Sequence, residues 1–255
     1  MRRRDSFMVV RVNLWRGDLS EQERTDRAHR QEGRDFESGR GPFGRCADRK
    51  FSKNEENYEI FERILPDLHV LEFYGGEPLM QPEHSRIMDM IKTNVVSKNL
   101  HLFYNTNGTI WPTDALDIWQ QFALVEVAFS IDDIGARYEY QRANASWIHV
   151  NKIIEKFQDL KSRMPNLRLQ CCSTVNVFNV LYIDQLANWI QDQHFDFVYW
   201  NMLHQADYFS IGTLPDDAKQ TIADRLRQAR VGHRQEFDRI CDFMMNGTST
   251  DGQRL

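Results

Sequence analysis

From residue 51 onward, short apolar runs alternate with amphipathic stretches, and this alternation constrains the fold more than any single motif. Tyr58, Phe61, Ile64 and Leu65 recur at helical spacing, predicting a helix over 55–65, and residues 69–74 read as a strand. Pro82 opens a helix over 82–96, with Ile87, Met90, Ile91 and Val95 on one face. A strand at 100–104, a helix over 113–122 and a nearly continuously apolar strand at 124–131 follow. The series continues with a helix over 145–164, a strand at 167–175, a helix carrying Ile183, Leu186 and Ile190 with Asn179 as its candidate cap, and a strand at 195–202. Further helix is predicted from residue 215. Five βα units in a row imply a parallel sheet with right-handed crossovers. Residues 7–12 add a candidate sixth strand at the front. Six units are too many for a flavodoxin-like sheet and too few for a closed eight-fold barrel. The predicted fold is therefore α/β, a partial (β/α)6 TIM-type barrel with parallel strands.

Composition narrows the function classes. The chain has 255 residues with 41% hydrophobic and 27% charged, ordinary for a soluble globular protein. A net charge of −5 argues against a nucleic-acid partner. No apolar run reaches the ~18 residues of a membrane span. Met1-Arg2-Arg3-Arg4 resembles a signal-peptide start, but the apolar run behind it is too short, so the expected location is cytoplasmic. The cysteines are Cys46, Cys171, Cys172 and Cys241, with no CxxC pair and no zinc spacing, so no metal site is predicted. Cys171 and Cys172 are strand neighbours and point to opposite faces. Residues 1–50 differ from the rest: they hold twelve arginines and one lysine, with no isoleucine and no tyrosine. Disorder or a displaced reading frame would each produce such a break. The expected organisation is an arginine-rich segment at 1–50, a barrel at 51–214 and a truncated helical segment at 215–255.

In parallel α/β folds, ligands lie at the carboxyl ends of the strands. There this chain places Gly75, Gly76 and Glu77, then Asn105, Thr106 and Asn107, then Ser130 and Asp132, then Thr174 and Asn176, then Asn201 and His204. In the run from Leu71 to Leu79 an apolar strand meets two glycines, an acid and a proline. The glycines permit positive φ or close approach of a ligand, and Pro78 ends the strand. Glu77 and Asp132 can accept hydrogen bonds from an ammonium group or ribose hydroxyls, and Arg142 can pair with a carboxylate. Each has a plainer alternative. Asn105–Gly108 can be a turn, Asp132-Asp133 a helix cap, and Arg142 a solvated side chain. No GxSxG and no phosphate-binding GxxxxGK[ST] occurs. The set suits a zwitterionic nucleoside.

These residues resemble the radical S-adenosylmethionine enzymes over roughly residues 55–215. The marks are Phe73-Tyr74-Gly75-Gly76-Glu77-Pro78-Leu79, Asn105-Thr106-Asn107-Gly108 and Phe129-Ser130-Ile131-Asp132. Tyr138-Glu139-Tyr140-Gln141-Arg142 before Ser146-Trp147 is similar to members with a C-terminal twitch/SPASM-like extension. The resemblance implies S-adenosylmethionine as cofactor, with Gly75, Gly76 and Glu77 at the methionine amino group. It puts Asn107 and Ser130 near the methionine or ribose, Asp132 near the ribose and Arg142 at the methionine carboxylate. Asn105 and Asn176 complete the candidate cofactor-binding set. The family reaction is reductive cleavage to a 5′-deoxyadenosyl radical, driven by a 4Fe-4S cluster, and a peptide or protein substrate is a family-level expectation.

The departure lies in the cluster ligands. The family uses CxxxCxxC after its first strand, and here that region offers only Cys46. Asp133 stands where the family often has Gly, and Cys241 is the single cysteine in the C-terminal part. Three accounts follow: a truncated or frame-shifted product of an active enzyme, a non-catalytic barrel-fold binding or scaffold protein, or a non-radical α/β enzyme on sugars or nucleotides. The chain as written is expected to be inactive in reductive cleavage.

Overall fold

Strand β1 (Met8–Leu14) runs antiparallel to both of its neighbours, β2 (Cys46–Phe51) and β3 (Leu68–Tyr74). The front strand therefore exists, but it is not the sixth parallel strand of the sequence reading. Alternation of apolar side chains predicts extended backbone and carries no information on strand direction, which is set by a pairing partner more than thirty residues away. The structure is a computed structural model, and it describes residues 8–14, 46–51, 55–94, 97–204, 207–229 and 232–247. The bulk of the arginine-rich stretch and the segment beyond Gly247 lie outside the described residues.

The strands β3, β4 (His101–Thr106), β5 (Leu124–Ser130), β6 (Leu167–Val175) and β7 (Phe197–Met202) form the five-stranded parallel sheet of an α/β fold. Helices flank it, consistent with a partial (β/α) barrel. The chain divides into two compact units, residues 1–105 with 112–125 and residues 106–111 with 126–255.

In the first unit the strand order is β2-β1-β3-β4. The parallel register sets Val70 beside His101 and Phe73 beside Tyr104. Helix α1 (Glu55–Ile64) buries Tyr58 and Phe61, and α2 (Pro82–Asn94) buries Ile87 and Ile91 as their helical spacing predicts, with Met88 rather than the half-buried Met90 also turned inward and Val95 outside the described residues. A short α3 (Leu116–Trp119) replaces the longer helix predicted over 113–122. The core is aromatic. Phe73 stacks on Tyr104 at 4.9 Å, and His84 meets the edge of Phe73 at 5.1 Å. The buried Tyr104 hydroxyl lies 3.0 Å from His84 Nε2 and accepts a bond from Trp119 Nε1 at 3.3 Å. Burial lowers the His84 pKa to about 4 and raises that of Tyr104, so both are neutral.

In the second unit β6 pairs with β7 in parallel, Cys172 beside Tyr199 and Thr174 beside Asn201. Buried and half-buried residues alternate along β6, which puts Cys171 on the core face and Cys172 on the other. Both thiols are held protonated by burial, Cys172 with its pKa pushed up to about 12. Helix α4 (Gly135–Gln141) follows β5 after a short loop. Helix α5 (Trp147–Lys161) is capped by Ser146, which accepts from the His149 amide, and buries Val150, Ile153, Ile154 and Phe157. Helices α6 (Ile183–Asp192), α7 (Asp216–Gln228) and α8 (Arg234–Asn246) complete the unit. The buried Lys219 ammonium donates to the Gly247 carbonyl at the end of α8. Among the described residues no helix is long and apolar enough to cross a membrane.

Candidate functional site

The polar groups that the sequence places after β5 and β6 meet in one hydrogen-bonded cluster in the second unit. Asp132 follows the last β5 residue by two positions. Its Oδ2 accepts from Arg142 Nη2 at 2.6 Å, and its Oδ1 accepts from the Thr174 amide at 2.8 Å. The carboxylate therefore ties the residue after α4 to the end of β6. Asn176 donates to Gln141 Oε1 at 3.2 Å and to the Thr174 carbonyl at 3.1 Å. Its Oδ1 accepts from the Phe178 amide. Asp132, Arg142 and Asn176 are thus brought together around Thr174.

Arg142 is the open point of this cluster. Nη2 is committed to Asp132, the guanidinium carbon sits 5.7 Å from the Tyr138 ring centroid, and Nε is buried with no acceptor among the described residues. A buried donor without a partner costs roughly 1–3 kcal/mol. An anionic guest beside Arg142 would supply the missing acceptor, and a planar carboxylate matches the guanidinium fork.

Asp133 does not share the site. It is buried, accepts from the Ile134 amide and makes a two-oxygen contact with Arg137 Nε at 3.0 Å. Burial raises its pKa, and Arg137 opposes that shift. Neither aspartate caps α4, whose N-cap Ile134 has no side-chain cap bond.

Asn179, expected as a helix cap, has a different role. Its side-chain amide donates to the carbonyls of Asp132 at 2.7 Å and Thr174 at 2.8 Å, and accepts from the Asn176 amide at 2.9 Å. It is buried and caps no helix. Its three-residue spacing from Asn176 is the one sequence signal for this arrangement, and the same residue type in front of an apolar stripe is equally the mark of a helix start.

Asn107 closes a local turn in the same unit. Its Oδ1 accepts from the Thr109 amide at 2.9 Å and the Thr109 hydroxyl at 2.6 Å. Gly108 follows with φ of 74°, its amide bonded to Thr106 Oγ1. The turn reading of this segment is therefore correct in part, although β4 runs on through Asn105 and Thr106 before the chain bends. Ser130 is the half-buried last residue of β5.

In the first unit, β3 ends at Tyr74, and Gly75 and Gly76 follow with φ of 77° and 51°. Both are exposed and left-handed, a conformation available to glycine at little cost. Glu77 is buried and accepts from the Leu79 amide at 3.3 Å, capping the short 3-10 turn Pro78–Met80. Asn105 lies half-buried in β4 of the same unit.

Among solved structures, native anSMEcpe with bound AdoMet and a Cp18Cys peptide has a similar fold. The TM-score is 0.50 at 15% identity, over 71% of this chain and 52% of that one. A hexahistidine-tagged form of anSMEcpe with bound AdoMet gives 0.50 and 15% identity, over 72% and 56%. Streptococcus suis SuiB bound to S-adenosylmethionine gives 0.47 and 12% identity, over 73% and 43%. The likeness is one of fold, and the chain spans about half the length of these proteins. No family model and no curated protein matches the chain.

The iron–sulfur cluster implied by the family resemblance does not fit the cysteines present. Cluster iron is held by several thiolates. Cys171 and Cys172 lie on opposite faces of β6, Cys241 is buried in α8, and burial raises the pKa of all three. Cys46 is the single cysteine before residue 171. Among the described residues no three His, Cys, Asp or Glu side chains gather to hold a metal.

Proposed function

We propose that this chain is a radical S-adenosylmethionine-like protein that binds S-adenosylmethionine at the carboxyl ends of its parallel strands and, with its present cysteines, does not cleave it reductively. The observation that carries the reading is Arg142, fixed by Asp132 with its Nε buried and short of an acceptor. The methionine carboxylate is an acceptor of the right charge and shape. Asp132 acts mainly by holding Arg142, and Asn176 and Gln141, bonded to each other beside Thr174, brace the site. The fold shared with two AdoMet-bound structures supports the same reading, and the peptide held by one of them makes a peptide or protein partner reasonable.

Calorimetry of the full chain with S-adenosylmethionine tests it. One equivalent is expected to bind, and Arg142→Ala is expected to weaken it by about tenfold to a hundredfold, the worth of a charge-assisted hydrogen bond. No binding, or unchanged binding in Arg142→Ala, overturns the proposal. Anaerobic iron and sulfide reconstitution is expected to leave no stable four-iron chromophore.

A further inference from the structure

Four aromatic rings run in an unbroken row across three segments of the second unit, three of them exposed and Phe209 half-buried. Tyr140 near the end of α4 meets Phe178 at 5.9 Å, Phe178 meets Phe209 at 5.4 Å, and Phe209 meets Tyr208 at 4.4 Å. Tyr140, Phe178 and Tyr208 are 78%, 43% and 70% exposed, so none of them is there to fill a core. Large apolar side chains left exposed together mark interaction surfaces. Hydrogen bonds position the row. The Val177 amide donates to the Phe209 carbonyl at 3.1 Å, the Phe178 amide donates to Asn176 Oδ1 at 2.8 Å, and Asn176 holds Gln141 beside Tyr140. The rings thus stand on braced segments, which lowers the entropy lost on binding.

The charges around the row select the guest. Residues 135–141, 176–180 and 207–213 carry three charged side chains: Arg137, Glu139 and Asp207. Arg137 is consumed by Asp133 and Gln185. Glu139 accepts from the Trp147 amide, and among the described residues neither it nor the Asp207 carboxylate has a cationic partner. The unneutralised charge is therefore negative, and ring faces are themselves electron-rich. Guanidinium groups stack on such faces and pair with such carboxylates.

We propose that the row Tyr140–Phe178–Phe209–Tyr208, with Asp207 and Glu139 beside it, is a docking surface for an arginine-bearing peptide segment of a partner protein. The rings adjoin the Arg142 cluster through Asn176 and Gln141, and docking on them does not require the nucleoside.

Fluorescence anisotropy with labelled Gly/Ser peptides, otherwise identical and carrying several arginines, glutamines or glutamates, tests this on the full chain. The arginine peptide is expected to bind and the other two to bind at least about tenfold more weakly. Tyr140→Ala and Phe178→Ala are each expected to weaken arginine-peptide binding by about threefold, and Asp207→Asn to weaken it and flatten its salt dependence. S-adenosylmethionine binding in Tyr140→Ala is expected to be unchanged, which separates this surface from the Arg142 site. Equal binding of the three peptides, no binding of any, or full binding in both ring variants overturns the proposal. So does sedimentation showing a wild-type dimer that Tyr140→Ala dissolves, which would make the row a self-contact.

Discussion

His84 makes the stability of the first unit depend on mild acid. Its ring is buried, lies 3.0 Å from the Tyr104 hydroxyl and packs against Phe73. No carboxylate is among these contacts. Burial lowers its pKa from 6.5 to about 4, because an imidazolium there would lose its hydration without gaining an anion. The unfolded chain therefore takes up a proton at higher pH than the folded one. This contribution to stability is complete above pH 6.5 and is lost as the pH falls toward 4. Two and a half pH units at about 1.4 kcal/mol each amount to ~3 kcal/mol. Urea titrations of the wild-type chain and of His84→Gln between pH 7 and pH 4 provide the assay. Glutamine retains a hydrogen bond to Tyr104 but cannot titrate. The wild type should lose about 3 kcal/mol more than the variant over that range, whatever fixed difference separates them at pH 7. Parallel pH profiles would refute the argument, since every other titrating group is common to both chains.

Three further outcomes are expected. Gly108→Ala should lower stability by about 1–3 kcal/mol in urea, because φ is 74° and the added Cβ would stand 3.1 Å from Phe129 Cδ1 and 3.3 Å from Val150 Cγ1. Asp132→Asn should cost about 1–2 kcal/mol by thermal melting and Asp132→Ala more, since asparagine still accepts from the Thr174 amide while alanine releases it as well as Arg142. At pH 8 Cys171 and Cys172 should react with a thiol reagent only after urea unfolding, because burial holds both thiols protonated; fast labelling in the native state would contradict their placement.

The parts of this fold that the sequence shows best are those with strong periodicity. Strand β6 falls on the predicted residues, with its buried and half-buried faces alternating, and α5 shows its apolar stripe from Val150 to Phe157. Helix α3 is shorter than its apolar content suggests, for the residues after Pro112 first form turns and helix begins only at Leu116. Helix α4 gives no periodic signal because it is two turns long and buries only Tyr138. Polar residues at strand ends are legible as a class, but their partners are not. Asp132 and Arg142 each stand out in the sequence as candidate ligand contacts, but the bond between them does not. Such a pairing depends on where α4 returns the chain, a matter of three-dimensional packing rather than spacing along the sequence. The direction of β1 is illegible for the same reason.

The amide of Asn179 lends the strand ends a chemical shelf life. Its oxygen faces an N–H and its nitrogen faces two carbonyls, so the two ends of the group cannot be exchanged. Deamidation to aspartate would keep the side-chain shape and reverse the polarity, setting an anion against the lone pairs of Asp132 and Thr174. One atom's replacement during storage would then loosen both loops at once, and a mass gain of about one dalton at this residue should track the loss of the native fold.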